Sequence, residues 1–209
     1  MLDFLQAHWL DMLTTALGLA YILLEYHASI WLWAVGFAMQ SLGIILYYQK
    51  GLYADCGMEF YYLAMTVYGF LHWVRTPEKE RDNIKGETKE RTPKAQRPIT
   101  HFPSKLAALW LVITLVAWAT LYWFLVTFTD SRVPIADSFT TALSIVGIWA
   151  LAHKYLEQWF IWIAVDVVTS VLYFYKDIPF KASLYALYVV IAIAGYFKWR
   201  KMMKIHKEK

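Results

Sequence analysis

Residues 137–143 read DSFTTAL and repeat residues 11–17, which read DMLTTAL, at a fixed shift of 126 positions. The same shift, without a gap, aligns further polar, aromatic and glycine positions. These pairs are His27 and His153, Trp33 and Trp159, Tyr47 and Tyr173, Lys50 and Lys176, Tyr62 and Tyr188, Gly69 and Gly195, and Trp73 and Trp199. Apolar composition produces chance matches of Leu, Ile and Val, but not of Asp, His, Gly and Trp in one register. The chain therefore contains an internal duplication.

The composition around the duplication is that of a membrane protein. Of the 209 residues, 59% are hydrophobic and only 17% are charged, which is too apolar for a water-soluble domain of this size. A helix needs about 20 residues to cross the hydrocarbon core. Seven apolar stretches qualify, at residues 9–26, 30–49, 54–74, 106–128, 136–153, 157–175 and 180–199. Their continuous apolar character favours helices over a barrel, so we expect an all-α membrane protein with seven transmembrane helices.

The duplication and the seven helices together predict a 3+1+3 parallel repeat. Helices 1–3 correspond to helices 5–7, and helix 4 inverts the chain so that both bundles share one orientation. The predicted organisation is a first three-helix bundle at 1–74, a cytoplasmic loop at 75–104, linker helix 4 at 105–135, a second three-helix bundle at 136–200 and a basic cytoplasmic tail at 201–209. Transporters built from such repeats bind substrate near the midplane, where the halves meet.

The distribution of Lys and Arg predicts the orientation. With the C-terminus in the cytoplasm, 16 of the 20 basic residues lie inside, including those of the 75–104 loop. The positive-inside rule therefore places the N-terminus outside the bacterial inner membrane. The first thirty residues lack a basic n-region and carry acids, so we expect helix 1 to be retained and not cleaved as a signal peptide.

Helix 6 carries a polar and aromatic face. Trp159, Trp162 and Asp166 recur at three- and four-residue spacing, and the repeat mate of Asp166 is the polar Gln40. A carboxylate at bilayer depth costs a few kcal/mol, so it should face a cavity or a partner. Two interpretations stay open, a ligand-facing acid and a buried carboxyl that bonds a neighbouring helix.

Helix 3 offers a second set of candidate substrate-binding residues. Glu59 and Tyr62 share one helix face, and Tyr188 is the repeat mate of Tyr62. Carboxylates beside aromatic rings suit a planar organic cation, because the rings supply stacking and cation–π attraction while the acid offsets the charge. For Glu59, a structural hydrogen bond to a neighbouring helix is the alternative.

Asp11, Asp137 and Trp33 are predicted to have gating or structural roles. Asp11 and Asp137 open helices 1 and 5, where an acid caps the helix or favours its first turn. The sequence has no zinc-protease motif, P-loop or nucleophile elbow and only one cysteine, Cys56. We therefore predict no enzyme activity, no catalytic residues, no metal, no cofactor and no nucleic-acid partner. The lipid bilayer and a small molecule are the predicted partners.

Four segments together resemble one known family. They are residues 51–55, GLYAD; residues 68–73, YGFLHW; residues 137–144, DSFTTALS; and residues 159–166, WFIWIAVD. The chain resembles the PnuC-type vitamin transporters, also called the nicotinamide riboside transporter family, whose fold is similar to a full-length SWEET sugar carrier. This resemblance implies facilitated diffusion of a vitamin, trapping of the product by a cytoplasmic kinase that phosphorylates it, and a homotrimer.

Two positions depart from the nicotinamide riboside carriers of that family. In those carriers the W-x-x-W motif is followed after three residues by Asn, where this chain has Asp166, and Gln is usual where it has Glu59. Residues 24–26 and 98–101 also look like thiamine-transporting members. We therefore expect thiamine as the substrate, with nicotinamide riboside as the alternative. Proton coupling stays open, and a non-transporting membrane scaffold or receptor is the alternative from another class.

Overall fold

The computed structural model describes residues 2–49, 53–74, 97–129, 133–175 and 179–207, and it confirms an all-helical chain. Seven helices lie in these ranges. They are α1 Leu2–Tyr26, α2 Trp31–Gln49, α3 Tyr53–Val74, α4 Ser104–Phe128, α5 Pro134–Ala152, α6 Gln158–Tyr175 and α7 Pro179–Lys207. The chain divides into two compact units, residues 1–97 and 98–209, and α4 belongs to the second.

Predicted and observed helix bounds differ most at the two ends of the chain. Helix α1 begins at Leu2 instead of residue 9, and α7 continues to Lys207 through the stretch predicted as a tail. At the α7 end the apolar stretch stops at Lys198, whereas the helix continues through Lys, Arg and Met, which have high helix propensity. At the α1 start, polar residues such as Asp3, Gln6 and His8 interrupt the apolar stretch without ending the helix. Residues 75–96 of the predicted cytoplasmic loop lie outside the described residues, as do positions 50–52, 130–132, 176–178 and 208–209.

Four helices of the described chain are long and apolar enough to cross a membrane. They comprise α4, α5, α6 and residues Lys181–Ile205 of α7. Helices α1 and α2 contribute shorter apolar segments at Thr15–Tyr26 and Trp31–Ile45. Several apolar helices in one chain indicate a multi-pass membrane protein.

The first unit is held by a tryptophan that packs on a glycine. Helix α2 packs against both α1 and α3. The Trp33 ring of α2 lies directly on Gly69 of α3, so close that a Cβ at this glycine would overlap the ring. The same ring meets Trp73 edge-on, with centroids 5.4 Å apart and an interplanar angle of 88°. Trp33 and Trp73 are fully buried, so this cluster forms the core between α2 and α3.

The second unit repeats this cluster at the positions 126 residues further on. Trp159 of α6 lies on Gly195 of α7 and meets Trp199 edge-on at 5.5 Å and 88°. Helix α4 packs on α5, where the rings of Trp110 and Trp149 are in contact, with centroids 3.9 Å apart and an interplanar angle of 33°. No described residue of α4 is buried, as expected for a helix that faces lipid along most of its surface.

The turns that follow α1 and α5 also share their geometry. Ala28 and Lys154 have positive φ angles of 50° and 54°. One residue earlier in each turn, the imidazole Nδ1 donates to a carbonyl four residues back, 2.8 Å from His27 to Leu23 and 2.9 Å from His153 to Trp149. The two units therefore share local structure at positions 126 apart. The predicted 3+1+3 arrangement of the repeats stays a prediction.

A short extended segment before α4 is tied to the turn between α5 and α6. Backbone bonds join Thr100 to Lys154 at 3.1 Å and to Leu156 at 2.9 Å. Glu157 then accepts from His101 at 2.8 Å and from the backbone N–H of Phe102 at 2.7 Å. These contacts fix the path of the chain into α4.

Candidate functional site

The polar face predicted on α6 is turned toward the interior of the second unit. Asp166 is 6% exposed, Ser170 is also buried, and Trp162 is half-buried. The Ser170 hydroxyl donates to the carbonyl oxygen of Ala182 at 2.8 Å, which joins α6 to α7 beside the acid. A carboxylate withdrawn from solvent in an apolar helix needs a compensating charge or hydrogen-bond donor.

Three tyrosines, one on α6 and two on α7, form a row of rings in the same unit as this acid. The Asp166 carboxylate acts electrostatically on the hydroxyl of Tyr188, so the structure brings these two predicted site residues together. Tyr185 meets Tyr188 edge-on at 5.5 Å and stacks on Tyr173 at 5.4 Å. The result is a row of three phenol rings whose Tyr188 end is within electrostatic range of the Asp166 carboxyl group, and acids and aromatic rings are the chemistry predicted for binding a planar cation.

Trp162 lies against a glycine of the preceding helix. A Cβ at Gly147 of α5 would sit 3.2 Å from the Trp162 ring. In the first unit the equivalent contact is reversed, because Tyr21 of α1 lies on Gly36 of α2, 3.1 Å from where a Cβ would be. The two units fill the same contact from opposite helices, and in the second unit the ring at this contact is the indole of Trp162, one helical turn from Asp166.

Trp159 occupies a different environment from Trp162. It has no exposed surface, and its ring is held between Gly195 and Trp199. This placement favours a role in packing α6 against α7 rather than direct stacking on a ligand. Its predicted role in substrate binding stays a prediction, as does the gating or structural role of Trp33, its repeat mate.

In the first unit, Glu59 sits between α2 and α3. Its carboxyl carbon lies 2.7 Å from where a Cβ at Gly43 would be, so only a glycine leaves room for it. Tyr61 and Tyr62 are half-buried nearby on α3, with ring centroids 5.6 Å apart, and Gln40 is half-buried on α2. The predicted residues Gln40, Glu59 and Tyr62 therefore all belong to the α2–α3 pair.

Of the two acids predicted near the starts of helices 1 and 5, the structure describes the surroundings of Asp137 but not the side chain of Asp11. Asp137 lies in the first turn of α5, behind Pro134 at the start of the helix, and its carbonyl accepts from the Thr141 hydroxyl at 2.7 Å. An acid in the first turn is favoured by the helix dipole. Asp11 belongs to α1, but its side chain lies outside the described part of the structure.

One buried polar residue on the same face of α6, Gln158, is not among the predicted site residues. Gln158 precedes Trp162 by four residues and has no exposed surface. The signal was present in the spacing, since Gln158, Trp162 and Asp166 are each four residues apart. A neutral amide next to a W-x-x-W motif is a weaker sequence sign of function than an ionisable group, because it costs less to bury.

Comparison with known proteins gives a consistent result. The sequence profile of the nicotinamide mononucleotide transporter family matches residues 8–201. The riboflavin/roseoflavin transporter RibM of Streptomyces davaonensis is 26% identical, with 91% of this chain and 84% of the relative covered. The nicotinamide riboside transporter PnuC of Escherichia coli is 23% identical, and the match again covers 91% of this chain and 84% of the relative. That of Neisseria mucosa is 24% identical over 95% of this chain and 74% of the relative.

A solved structure confirms the fold. The crystal structure of the vitamin B3 transporter PnuC matches with a TM-score of 0.70 and 22% sequence identity, covering 98% of this chain and 86% of the other. The resemblance drawn from the four sequence segments is thereby confirmed at the level of the family. Because the family profile covers nearly the whole length, the chain belongs to the nicotinamide mononucleotide transporter family, the PnuC-type membrane transporters of vitamins.

Proposed function

We propose that this protein carries a cationic vitamin across the inner membrane by facilitated diffusion. The observation that carries the proposal is the buried carboxyl group of Asp166 on α6, one helical turn from Trp162 and within electrostatic range of Tyr188. A cation replaces the solvent that this acid has lost, and the aromatic rings add stacking and cation–π attraction. The proposal retains the predicted 3+1+3 repeat and the predicted orientation, with the N-terminus outside and the C-terminus in the cytoplasm.

Nicotinamide riboside is the first substrate to test. Two of the relatives described above are named for this molecule, and a third is named for riboflavin. The pyridinium ring of nicotinamide riboside carries a positive charge, whereas riboflavin is uncharged, so an acid at Asp166 favours the former. The relatives thus support the alternative of the sequence analysis better than its first choice, thiamine.

Thiamine is the second candidate. The reason is that this chain has two acids at positions where nicotinamide riboside carriers of the family have amides. The carboxyl groups of Asp166 and Glu59, when ionised, only accept hydrogen bonds, whereas Asn and Gln each present a donor as well as an acceptor. A change from two neutral amides to two acids alters which groups on a substrate are recognised. Thiamine is also a cation, so binding measurements must decide between the two.

Trapping by phosphorylation fits the same electrostatics. A phosphate group adds a charge of roughly −1.5 to −2 at neutral pH. Because the candidate site holds an acid, the phosphorylated product would be repelled and could not return. We include a cytoplasmic kinase as the functional partner and a homotrimer as the assembly in the proposal.

The substrate class can be tested by titrating the purified protein and following its tryptophan fluorescence. Nicotinamide riboside and thiamine are the test ligands, and reduced nicotinamide riboside, nearly the same shape without the charge, is the matched control. We expect at least one cation to bind about tenfold or more tightly than the reduced riboside. Preference for riboflavin or for the reduced riboside over both cations would contradict the proposal.

A further inference from the structure

The first residue of α6, Gln158, has a buried polar side chain. It is 0% exposed, and neither its amide nitrogen nor its amide oxygen has a hydrogen-bond partner within the described ranges. Its backbone N–H is engaged by the carbonyl of Tyr155 at 3.3 Å. Buried amides in native proteins are almost always hydrogen-bonded, so an exception calls for a functional explanation.

Gln158 is the end of a column of hydrogen-bonding groups. Gln158, Trp162 and Asp166 follow one another at four-residue intervals, so they lie on one face of α6, each about 6 Å further along its axis. The indole nitrogen of Trp162 is also buried and without a partner among the described residues. The column therefore runs from the buried acid to the start of the helix and offers donors and acceptors along about 12 Å.

The repeat mate of Gln158 shows that packing does not require the amide. That mate, Leu32, begins the equivalent stretch of α2 and is likewise 0% exposed. The two positions precede Trp33 and Trp159, whose surroundings match closely in the two units. An apolar side chain thus satisfies this environment in one unit, while the other retains an amide that nothing described there satisfies.

We propose that Gln158 is a substrate-binding residue whose amide recognises a hydroxyl group of the transported molecule. A hydroxyl both donates and accepts, so it can bond the oxygen and the nitrogen of the same amide. The substrate would place its cationic ring toward Asp166 and its hydroxyl-bearing arm toward Gln158. This inference rests on the proposed function, because it assumes that a cationic molecule occupies the α6 face.

The test compares Gln158→Leu and Gln158→Met with the parent protein on two ligands. Nicotinamide riboside carries the hydroxyl arm, and 1-methylnicotinamide has the same cationic ring without it. For both variants we expect binding of the riboside to weaken about five- to tenfold while binding of 1-methylnicotinamide is unchanged. If the parent protein prefers thiamine, thiamine replaces the riboside in this test. The control ligand is then the thiamine analogue that carries an ethyl group in place of the hydroxyethyl group.

The outcomes separate this inference from the proposed function. Failure of the parent protein to bind any of the cations would overturn the proposed function and the inference with it. Normal binding of the hydroxyl-bearing ligand by both variants would overturn only the inference. Equal weakening for both ligands, or a lowered melting temperature with an unchanged preference for the hydroxyl, would assign Gln158 a structural role and also overturn it.

Discussion

Replacing Asp166 by Asn should weaken binding of the cationic substrate about ten- to a hundredfold while leaving the fold intact. Two unit charges at roughly 5 Å and an effective dielectric constant of about 20 attract by about 3 kcal/mol. Desolvation of the cation offsets part of this, and a tenfold change in affinity corresponds to about 1.4 kcal/mol. Asn has nearly the same shape as Asp, so the buried position remains filled. Titration of the purified variant measures the effect.

Three controls isolate the charge of Asp166. Binding of reduced nicotinamide riboside, which is uncharged, should change less than threefold in the Asn variant. Asp166→Glu retains the charge and should recover part of the affinity. Glu157→Gln removes a carboxylate from the partly exposed turn between α5 and α6, where solvent screens its charge, and should have little effect. Unchanged affinity for the cation in a folded Asp166→Asn protein would refute the role given to this acid.

Gly195→Ala should destabilise the second unit by about 3 kcal/mol or more. A Cβ at this position would lie 2.5 Å from the ring of Trp159, which is fully buried and held on its edge by Trp199. Because the ring is fully buried between Gly195 and Trp199, we expect the two helices to separate to make room for the methyl group. For a chain of about this size, the loss corresponds to a fall in melting temperature of roughly 6–12 °C. Thermal unfolding in detergent measures it.

The chain offers a matched control for this substitution. Apart from its chain neighbours and the nearby backbone of its own helix, no described atom lies within 4 Å of where a Cβ at Gly57 would be, and Gly57 is exposed on α3. Gly57→Ala should therefore leave stability unchanged or raise it by roughly 0.5–1 kcal/mol, since Ala favours the helix. Gly195→Ala combined with Trp159→Phe should recover part of the loss, because the smaller ring makes room for the methyl group. Equal melting temperatures for Gly195→Ala and Gly57→Ala would show that the cluster does not hold the unit together.

The 126-residue register predicted which positions matter, and the structure supplies the physical reason for several of them. Trp33, Gly69 and Trp73 matched Trp159, Gly195 and Trp199 in sequence, and each set forms one cluster. A sequence match between the two repeats shows that two positions are equivalent. It does not show which residues within one repeat are in contact. The contacts between them required coordinates.

Other features were beyond the reach of the sequence for identifiable reasons. The reversed contact of Tyr21 on Gly36 and Trp162 on Gly147 exchanges large and small residues, so a comparison of identities passes over it. The hydrogen bonds between Thr100 and the turn at Lys154 join residues more than fifty positions apart, and local sequence patterns do not predict such contacts. The end of α7 at Lys207 lies among basic residues, and the start of α1 at Leu2 includes Asp3, Gln6 and His8, so in both places the helix extends beyond the continuous apolar stretch.

Uptake of radiolabelled nicotinamide riboside and thiamine into empty proteoliposomes tests the proposed transport most directly. With no kinase inside and no ion gradient, at least one of these cations should enter faster than into protein-free liposomes and stop at the external concentration. An imposed pH gradient should not alter the plateau. Failure of both cations to enter faster than into protein-free liposomes, or accumulation above the external concentration driven by a proton gradient, would contradict facilitated diffusion of a cationic vitamin by this protein.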